Sequence, residues 1–260
     1  MKVDSPAYTL AFATLVCVVC ALFVSSASVL LKDRQEINRL LYLRKNVLQA
    51  AGLTEPGQRL STAQALALFD RHIQPRLVDL RSGEYVSGMD VESYQQRAAR
   101  GDPEKSRAVD DNPAGVRRIP HLAKVYLVED QGEVSQVVIP VEGLGLYGTL
   151  YGFLALQRDT RTITGIAFYE NRETPGLGGE VDNPRWRALW PGRQAFDDDW
   201  QPAIRLVKGQ VGGPAEDPYA VDALSGATIT SNAVTELLRF WLSGQGFGPY
   251  LEKARSRGVF

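Results

Sequence analysis

Residues 123–139, AKVYLVEDQGEVSQVVI, are the stretch from which the fold is most readily predicted. Two runs rich in β-branched and aromatic residues, 123–128 and 134–139, flank the polar residues 130–133, which include Gly132. Apolar runs separated by a short turn of this kind are typical of a β-hairpin. The stretch therefore predicts two adjacent antiparallel strands in the middle of the chain.

Further strands and helices are predicted on both sides of this hairpin. Similar runs predict strands at 149–156, 162–169 and 203–207. Helical spacing predicts helices at 35–51, from Ser61 to Phe69, from Asn183-Pro184 to Pro191, after residue 228, and around 250–255. Strands clustered between helical ends indicate an α+β class, with an antiparallel sheet flanked by helices.

The beginning of the chain predicts a membrane anchor. Residues 6–31 carry no charged side chain, and about 20 apolar residues suffice to span a bilayer as a helix. The alternative is a cleaved signal peptide, with Lys2 as its basic start and Ser25 and Ala27 at the cleavage site. The apolar run continues to Leu31, which favours the anchor.

We expect three parts along the chain: a transmembrane anchor at 1–33, a helical stalk or covering segment at 34–81, and an α+β domain at 82–260. Residues 82–118 are polar and predict a long surface loop. Basic residues after the span would place the domain in the cytoplasm, but long domains translocate largely regardless of charge. Orientation stays open at this point.

Composition excludes several classes of function. The formal net charge is −1, and no basic patch interleaved with aromatic residues indicates nucleic-acid binding. Cys17 and Cys20 both lie in the apolar segment, so the domain has no thiolate for zinc or an iron–sulfur cluster. The two histidines lie in different segments, and no metal site is expected.

Residues 222–231, DALSGATITS, are the best candidate for chemistry. The residues after them have apolar side chains at helical spacing, so Ser225 to Thr228 precede or open a helix. Free backbone N–H groups and the positive end of the helix dipole make such a position an anion site. Gly226 and Ala227 would let a phosphate approach closely. The alternative is an ordinary helix start capped by Ser or Thr.

The pattern Asp222-x-x-Ser225-Gly226-Ala227-Thr228 resembles the motif at which a flavin transferase esterifies the phosphate of FMN to a threonine. The resemblance implies that Thr228 carries covalent FMN. It also implies that the transferase reads Asp222, Ser225 and Gly226. No catalytic acid or base is expected in the chain itself.

Other stretches resemble the NqrC family of the sodium-translocating NADH:quinone reductase, in order along nearly the whole chain. They are the single N-terminal span and residues 45–53, 151–156, 169–180, 183–186 and 246–251. In the turn 173–180, the resemblance implies that Thr174 and Leu177 flank the flavin ring. Glu173 in the same turn is a further candidate for binding the cofactor. Tyr147 stands where the family commonly has tryptophan, and either aromatic side chain could stack on the ring.

The resemblance implies an electron-carrying subunit of a sodium pump that oxidises NADH and reduces ubiquinone. Its partners would be the other subunits of the complex and a flavin transferase, and its FMN-binding domain would be periplasmic at the bacterial inner membrane. Three alternatives remain: the flavin-carrying RnfG family of the Rnf-type ferredoxin:NAD reductase, an anchored FMN-binding sensory or regulatory domain, and an anchored structural domain with Thr228 unmodified.

Overall fold

The computed structural model describes residues 5–54, 58 and 60–258, and Lys2 lies outside them. The chain divides into two compact units, residues 1–42 and 43–260. Its α-helices are α1 (Pro6–Ala50), α2 (Thr62–His72), α3 (Gln96–Gly101), α4 (Pro184–Arg187), α5 (Thr228–Leu242) and α6 (Gly248–Arg257). Gly178–Asp182 form a 3-10 helical turn.

The first unit is helical from Pro6 onward. Within α1, Pro6–Lys32 has a mean hydropathy of 2.5 over its apolar window and is long enough to cross a membrane. The helix does not end there: it continues to Ala50, so the helix predicted at 35–51 is confirmed as the last part of α1. The expected boundary at 33/34 therefore lies inside one continuous helix.

The second unit contains a five-stranded antiparallel sheet of order β1-β4-β5-β6-β7. The strands are β1 (Ile73–Asp79), β2 (Ser106–Ala108), β3 (Arg118–Pro120), β4 (Leu122–Asp130), β5 (Glu133–Leu144), β6 (Thr149–Gln157), β7 (Ile163–Glu170), β8 (Arg205–Val207) and β9 (Ala220–Asp222). The α+β class and the predicted strands are confirmed. Gln131 and Gly132 both have positive φ, as a tight two-residue hairpin turn requires.

Side chains on the two faces of the sheet enter different cores. In β5, Val137, Ile139 and Val141 join the larger core, which includes the apolar face of α5. Val138 points the other way, into a smaller core with the last turn of α1 and with Phe69 of α2. This alternation follows from the period of two along a strand. Both faces of the sheet are thus covered, and the sheet holds the end of β5 against α5.

Two expectations differ from the structure. The segment 34–81 is expected to be helical, but it contains β1, an edge strand of the main sheet. Pro75 weakens the strand pattern of β1, yet proline is tolerated on an edge strand because one side needs no ladder bonds. The expected loop at 82–118 contains α3 and β2, and β3 begins at Arg118.

Several predicted helix ends are confirmed. Ser61 and Gln64 form a complete capping box at the start of α2. The side chain of Asn183 accepts a hydrogen bond from the N–H of Arg185 and so caps α4. Helix α4 is shorter than expected, however, because it ends at Arg187 rather than at Pro191.

Candidate functional site

Helix α5 begins at Thr228, the threonine of the 222–228 motif. Its N-cap is Ala227, which has φ −126° and ψ 53°, and no side chain caps the helix start. The alternative of an ordinary helix start capped by Ser or Thr is therefore contradicted. Because the first N–H groups of a helix have no partner within the helix, an uncapped start leaves these donors available to an anion.

The hydroxyl groups around the helix start differ in accessibility. Thr230 and Ser231 are 1% and 2% exposed. The Ser231 hydroxyl donates to the carbonyl of Ala227 and accepts from the N–H of Leu224. Thr228 and Ser225 are exposed. Of the two threonines in this turn, Thr228 is the one that presents its side chain to the outside.

Glu173 joins three parts of the site. It is 6% exposed, and its carboxylate accepts hydrogen bonds from the Thr230 hydroxyl (2.5 Å) and from the N–H of Tyr147 (3.1 Å). The turn after β7, the loop between β5 and β6, and the first turn of α5 are thereby fixed to one another. Since both carboxylate oxygens are engaged, Glu173 positions the site from beneath its surface.

A second layer holds Glu173 in place. The side chain of Asn171 accepts from the N–H of Glu173 (3.1 Å) and donates to the carboxylate of Asp182 (2.9 Å). Burial raises the pKa of the Asp182 carboxyl above its usual value, and the hydrogen bond from Asn171 opposes this rise. The turn 171–182 is therefore braced at both ends.

Glycines allow this close assembly. A Cβ atom at Gly145 would lie 2.5 Å from the Glu173 carboxylate, and one at Gly178 would lie 2.5 Å from the Thr230 hydroxyl. Gly226 has φ +71°, and a Cβ there would lie 3.0 Å from Leu177. The sequence alone does not identify Gly145 as a site residue, although the run 143–148 is rich in glycine.

An exposed apolar surface accompanies the open helix start. Tyr147, Leu177 and Ile229 are 63%, 43% and 57% exposed, and Thr174 beside Leu177 is also exposed. In the described part of residues 43–260, the exposed large hydrophobic side chains are Tyr85, Met89, Leu144, Leu146, Tyr147, Leu177 and Ile229. Five of these seven belong to the end of β5 and the 145–148 loop after it, to the 173–180 turn or to the start of α5, so exposed apolar side chains concentrate at the site.

Asp222 has a different position. It ends β9, and its carboxylate accepts a hydrogen bond from the N–H of Val211 (2.9 Å). Its carbonyl accepts one from the indole N–H of Trp186 (2.9 Å). The side chain of Asp222 is thus bonded within the fold, whereas Ser225 and Gly226 are exposed; Ala227 packs in the larger core. No local sequence pattern indicates these roles of Val211 and Trp186.

The residues gathered here fit FMN. Open backbone N–H groups and the exposed Thr228 hydroxyl suit a phosphate, and the apolar side chains of Tyr147 and Leu177 suit a flat ring. Gly226 keeps the space between Leu177 and the helix start free of a side chain. Within the described ranges, no cluster of three or more His, Cys, Asp or Glu side chains could hold a metal ion.

Comparison with known proteins gives concordant matches. Residues 145–243 match the FMN-binding domain family. The chain is 44% identical over 255 residues to the NqrC protein of the Na(+)-translocating NADH-quinone reductase of Yersinia pestis, covering 97% of this chain and 94% of that one. It is 43% identical over 255 residues to the protein of the same name from Pseudomonas aeruginosa, with 97% of each covered.

Solved structures agree. The crystal structure of NqrC from Shewanella oneidensis has a TM-score of 0.76 and 36% identity, over 82% of this chain and 96% of that one. The crystal structure of the corresponding Na(+)-translocating NADH-quinone reductase protein from Parabacteroides distasonis has a TM-score of 0.65 and 26% identity, over 85% and 96% respectively.

Proposed function

The chain belongs to the NqrC family of the Na+-translocating NADH-quinone reductase, and we propose that it carries electrons through an FMN joined to Thr228 by a phosphoester. Members of the family are subunits of an oxidoreductase complex, and this chain contains an FMN-binding domain. The full-length similarity favours this family over the RnfG family of the ferredoxin:NAD reductase.

The main support for the proposal is the open start of α5. Thr228 is exposed at the first position of the helix, and no side chain caps the N–H groups beside it. A phosphate there would accept hydrogen bonds from the backbone and lie at the positive end of the dipole. Thr230 is unsuited to the linkage because its hydroxyl is buried and donates to Glu173.

The ring would lie beside Tyr147, Thr174 and Leu177. Tyr147 and Leu177 present exposed apolar side chains to the ring, and Gly226 leaves room next to Leu177. Glu173 accepts hydrogen bonds from both the 145–148 loop and the first turn of α5. It would therefore fix the distance between the loop that contacts the ring and the helix start that binds the phosphate. An exposed ring is accessible to a partner's redox group.

The bound FMN would supply the one-electron chemistry, and the protein would supply position and electrostatics. The backbone at 225–230 would hold the phosphate, while Leu177 and Tyr147 would limit the orientation of the ring. No proton donor is required from the chain. The ester would keep the cofactor attached in an exposed site.

The proposal includes a cellular arrangement. One helix, Pro6–Lys32, would span the inner membrane once, and the domain would face the periplasm. The domain contains no cysteine and would need no reducing environment. Its partners would be the other subunits of the pump, and a flavin transferase that reads the exposed Ser225 and Gly226 would attach the FMN.

The test is flavin fluorescence of the denatured full-length chain after co-expression with an active flavin transferase. Thr228→Val is expected to abolish the fluorescent band and stop quinone reduction by the assembled complex. Thr62→Val is the matched control, because Thr62 is the exposed first residue of α2. If the Thr228→Val chain is still fluorescent, the flavin is linked to another residue. If the complex with Thr228→Val lacks covalent flavin but reduces quinone at the normal rate, the electron-carrier role is refuted.

A further inference from the structure

Arg172 follows β7 and lies directly beside the 145–148 loop. A Cβ atom at Gly148 would lie 3.1 Å from Cδ of Arg172 and 3.4 Å from its Cβ, so the aliphatic part of the arginine crosses Gly148. The neighbouring residue in the loop is the exposed Tyr147. Arg172 is itself exposed, so its guanidinium group reaches solvent beside the apolar surface of the site.

The acidic groups near Arg172 are engaged elsewhere. Glu170 pairs with Arg97 (2.7 Å), Asp182 accepts from Asn171, and Glu173 accepts from Thr230 and Tyr147. Among the residues that the structure describes, no side chain forms an ion pair or hydrogen bond with the Arg172 guanidinium. Its positive charge is therefore available to a bound group.

We propose that Arg172 places its positive charge beside the flavin ring. This charge stabilises the negative charge that the ring gains when it is reduced. This inference rests on the proposed function, since it takes the ring to lie beside Tyr147. Each electron that the ring accepts from another redox group of the complex, without a proton, adds one negative charge. A nearby cation favours that charged form over the oxidised one.

The charge of Arg172 also balances a neighbour. Glu173 places a carboxylate beneath the same loop, hydrogen-bonded by neutral donors. A negative charge there disfavours reduction of an adjacent ring, and the adjacent arginine offsets it. Because Arg172 is exposed, its effect is screened by solvent and salt. We therefore expect a moderate shift in potential that diminishes as ionic strength rises.

The experiment is a redox titration of the flavin-loaded full-length chain in detergent, at low and high salt. Arg172→Gln is expected to lower the equilibrium constant for the first electron roughly fivefold, which corresponds to about 40 mV. Arg172→Lys should retain most of the wild-type potential because the charge is kept. Arg81→Gln is the control, since Arg81 is exposed and follows β1, at the opposite edge of the sheet from β7.

The outcomes separate this inference from the proposed function. Covalent flavin is first measured in each variant by denaturing fluorescence. If Arg172→Gln keeps covalent flavin but its potential equals that of the wild type, the proposal is overturned while the linkage at Thr228 stands. If Arg172→Gln loses covalent flavin, the arginine serves attachment and the proposed role at the ring is also overturned. An equal shift in Arg81→Gln would indicate only a general charge effect and would refute it as well.

Discussion

Helices α2 and α5 both begin with an exposed threonine, but their first turns are completed differently. At Thr62, the side chain of Ser61 accepts from the N–H of Gln64, and the Gln64 side chain accepts from the N–H of Ser61. At Thr228, the preceding residue is Ala227 and no side chain caps the helix. The helix N-terminus is thus capped in α2, where no ligand is proposed, and uncapped in α5, where a phosphate is proposed to bind.

This contrast indicates that the open end is stabilised from elsewhere. A side-chain cap contributes about 1 kcal/mol to a helix. Helix α5 lacks it and instead relies on its buried apolar face and on the hydrogen bond from Thr230 to Glu173. Stability supplied from below leaves the N–H groups at the surface free for a ligand.

Removing the support beneath α5 should have the largest effect on stability. Glu173→Ala leaves the buried Thr230 hydroxyl without its partner, at ~1–3 kcal/mol. It also removes the partner of the part-buried Tyr147 N–H, at a smaller cost because water can replace that bond. We expect the free energy of unfolding to fall by about 3 kcal/mol. Urea unfolding followed by tryptophan fluorescence measures this, because all four tryptophans lie in residues 43–260.

Glu180→Ala is the matched control in the same turn, since the Glu180 carboxylate accepts from the side chain of Asn183 at a half-buried position. A loss in Glu180→Ala as large as in Glu173→Ala would mean that the turn tolerates neither change. The proposal that Glu173 in particular stabilises the start of α5 would then be wrong.

Closing the open helix start should reduce flavin attachment. In Ala227→Asp, a carboxylate at the N-cap would accept from the N–H groups of α5 and repel a phosphate. Because Ala227 is buried in the larger core, urea unfolding first checks that the variant is folded. We expect roughly tenfold slower attachment, which corresponds to about 1.4 kcal/mol, within the range for charges at helix ends. The time course of covalent fluorescence in the presence of an active flavin transferase measures it.

Ser61→Asp places the same charge at the start of α2 and should leave the rate of attachment unchanged. Attachment to Ala227→Asp at the wild-type rate would indicate that the N–H groups of α5 take no part in binding the phosphate.

Opening the closed helix start should have the smallest effect. Ser61→Ala removes the cap of α2 and should cost about 1 kcal/mol, which lowers Tm by about 3 °C in a domain of this size. Covalent flavin should stay at the wild-type level, as judged by in-gel fluorescence. A decrease in flavin would show that the two helix starts are coupled rather than independent.

Local patterns allow much of this architecture to be predicted. The hairpin at 123–139, the strands that follow it and the capping box at Ser61 depend on residues close in sequence. Strand β1 escapes prediction because its seven residues include Pro75, and its place in the sheet depends on pairing with β4, about 50 residues later. Local propensity does not contain that information.

The site shows the same division. The motif at 222–228 locates the start of α5 without the structure, because glycine and the hydroxyl residues precede a strongly periodic helix. The bond from Thr230 to Glu173 joins positions 57 apart in sequence, so no local pattern could reveal it. Nor could the sequence show that the N-cap would be Ala227 rather than a serine or threonine.

The last turn of α1 has a practical consequence for making a soluble fragment. Val47, Leu48, Ala50 and Ala51 are buried in the smaller core against the sheet. A fragment whose first codon encodes residue 43 retains this apolar cover, whereas a fragment that starts at 82 lacks it and β1 as well. A soluble fragment should therefore begin inside the long helix α1. A boundary chosen from the amino-acid composition alone would not fall there.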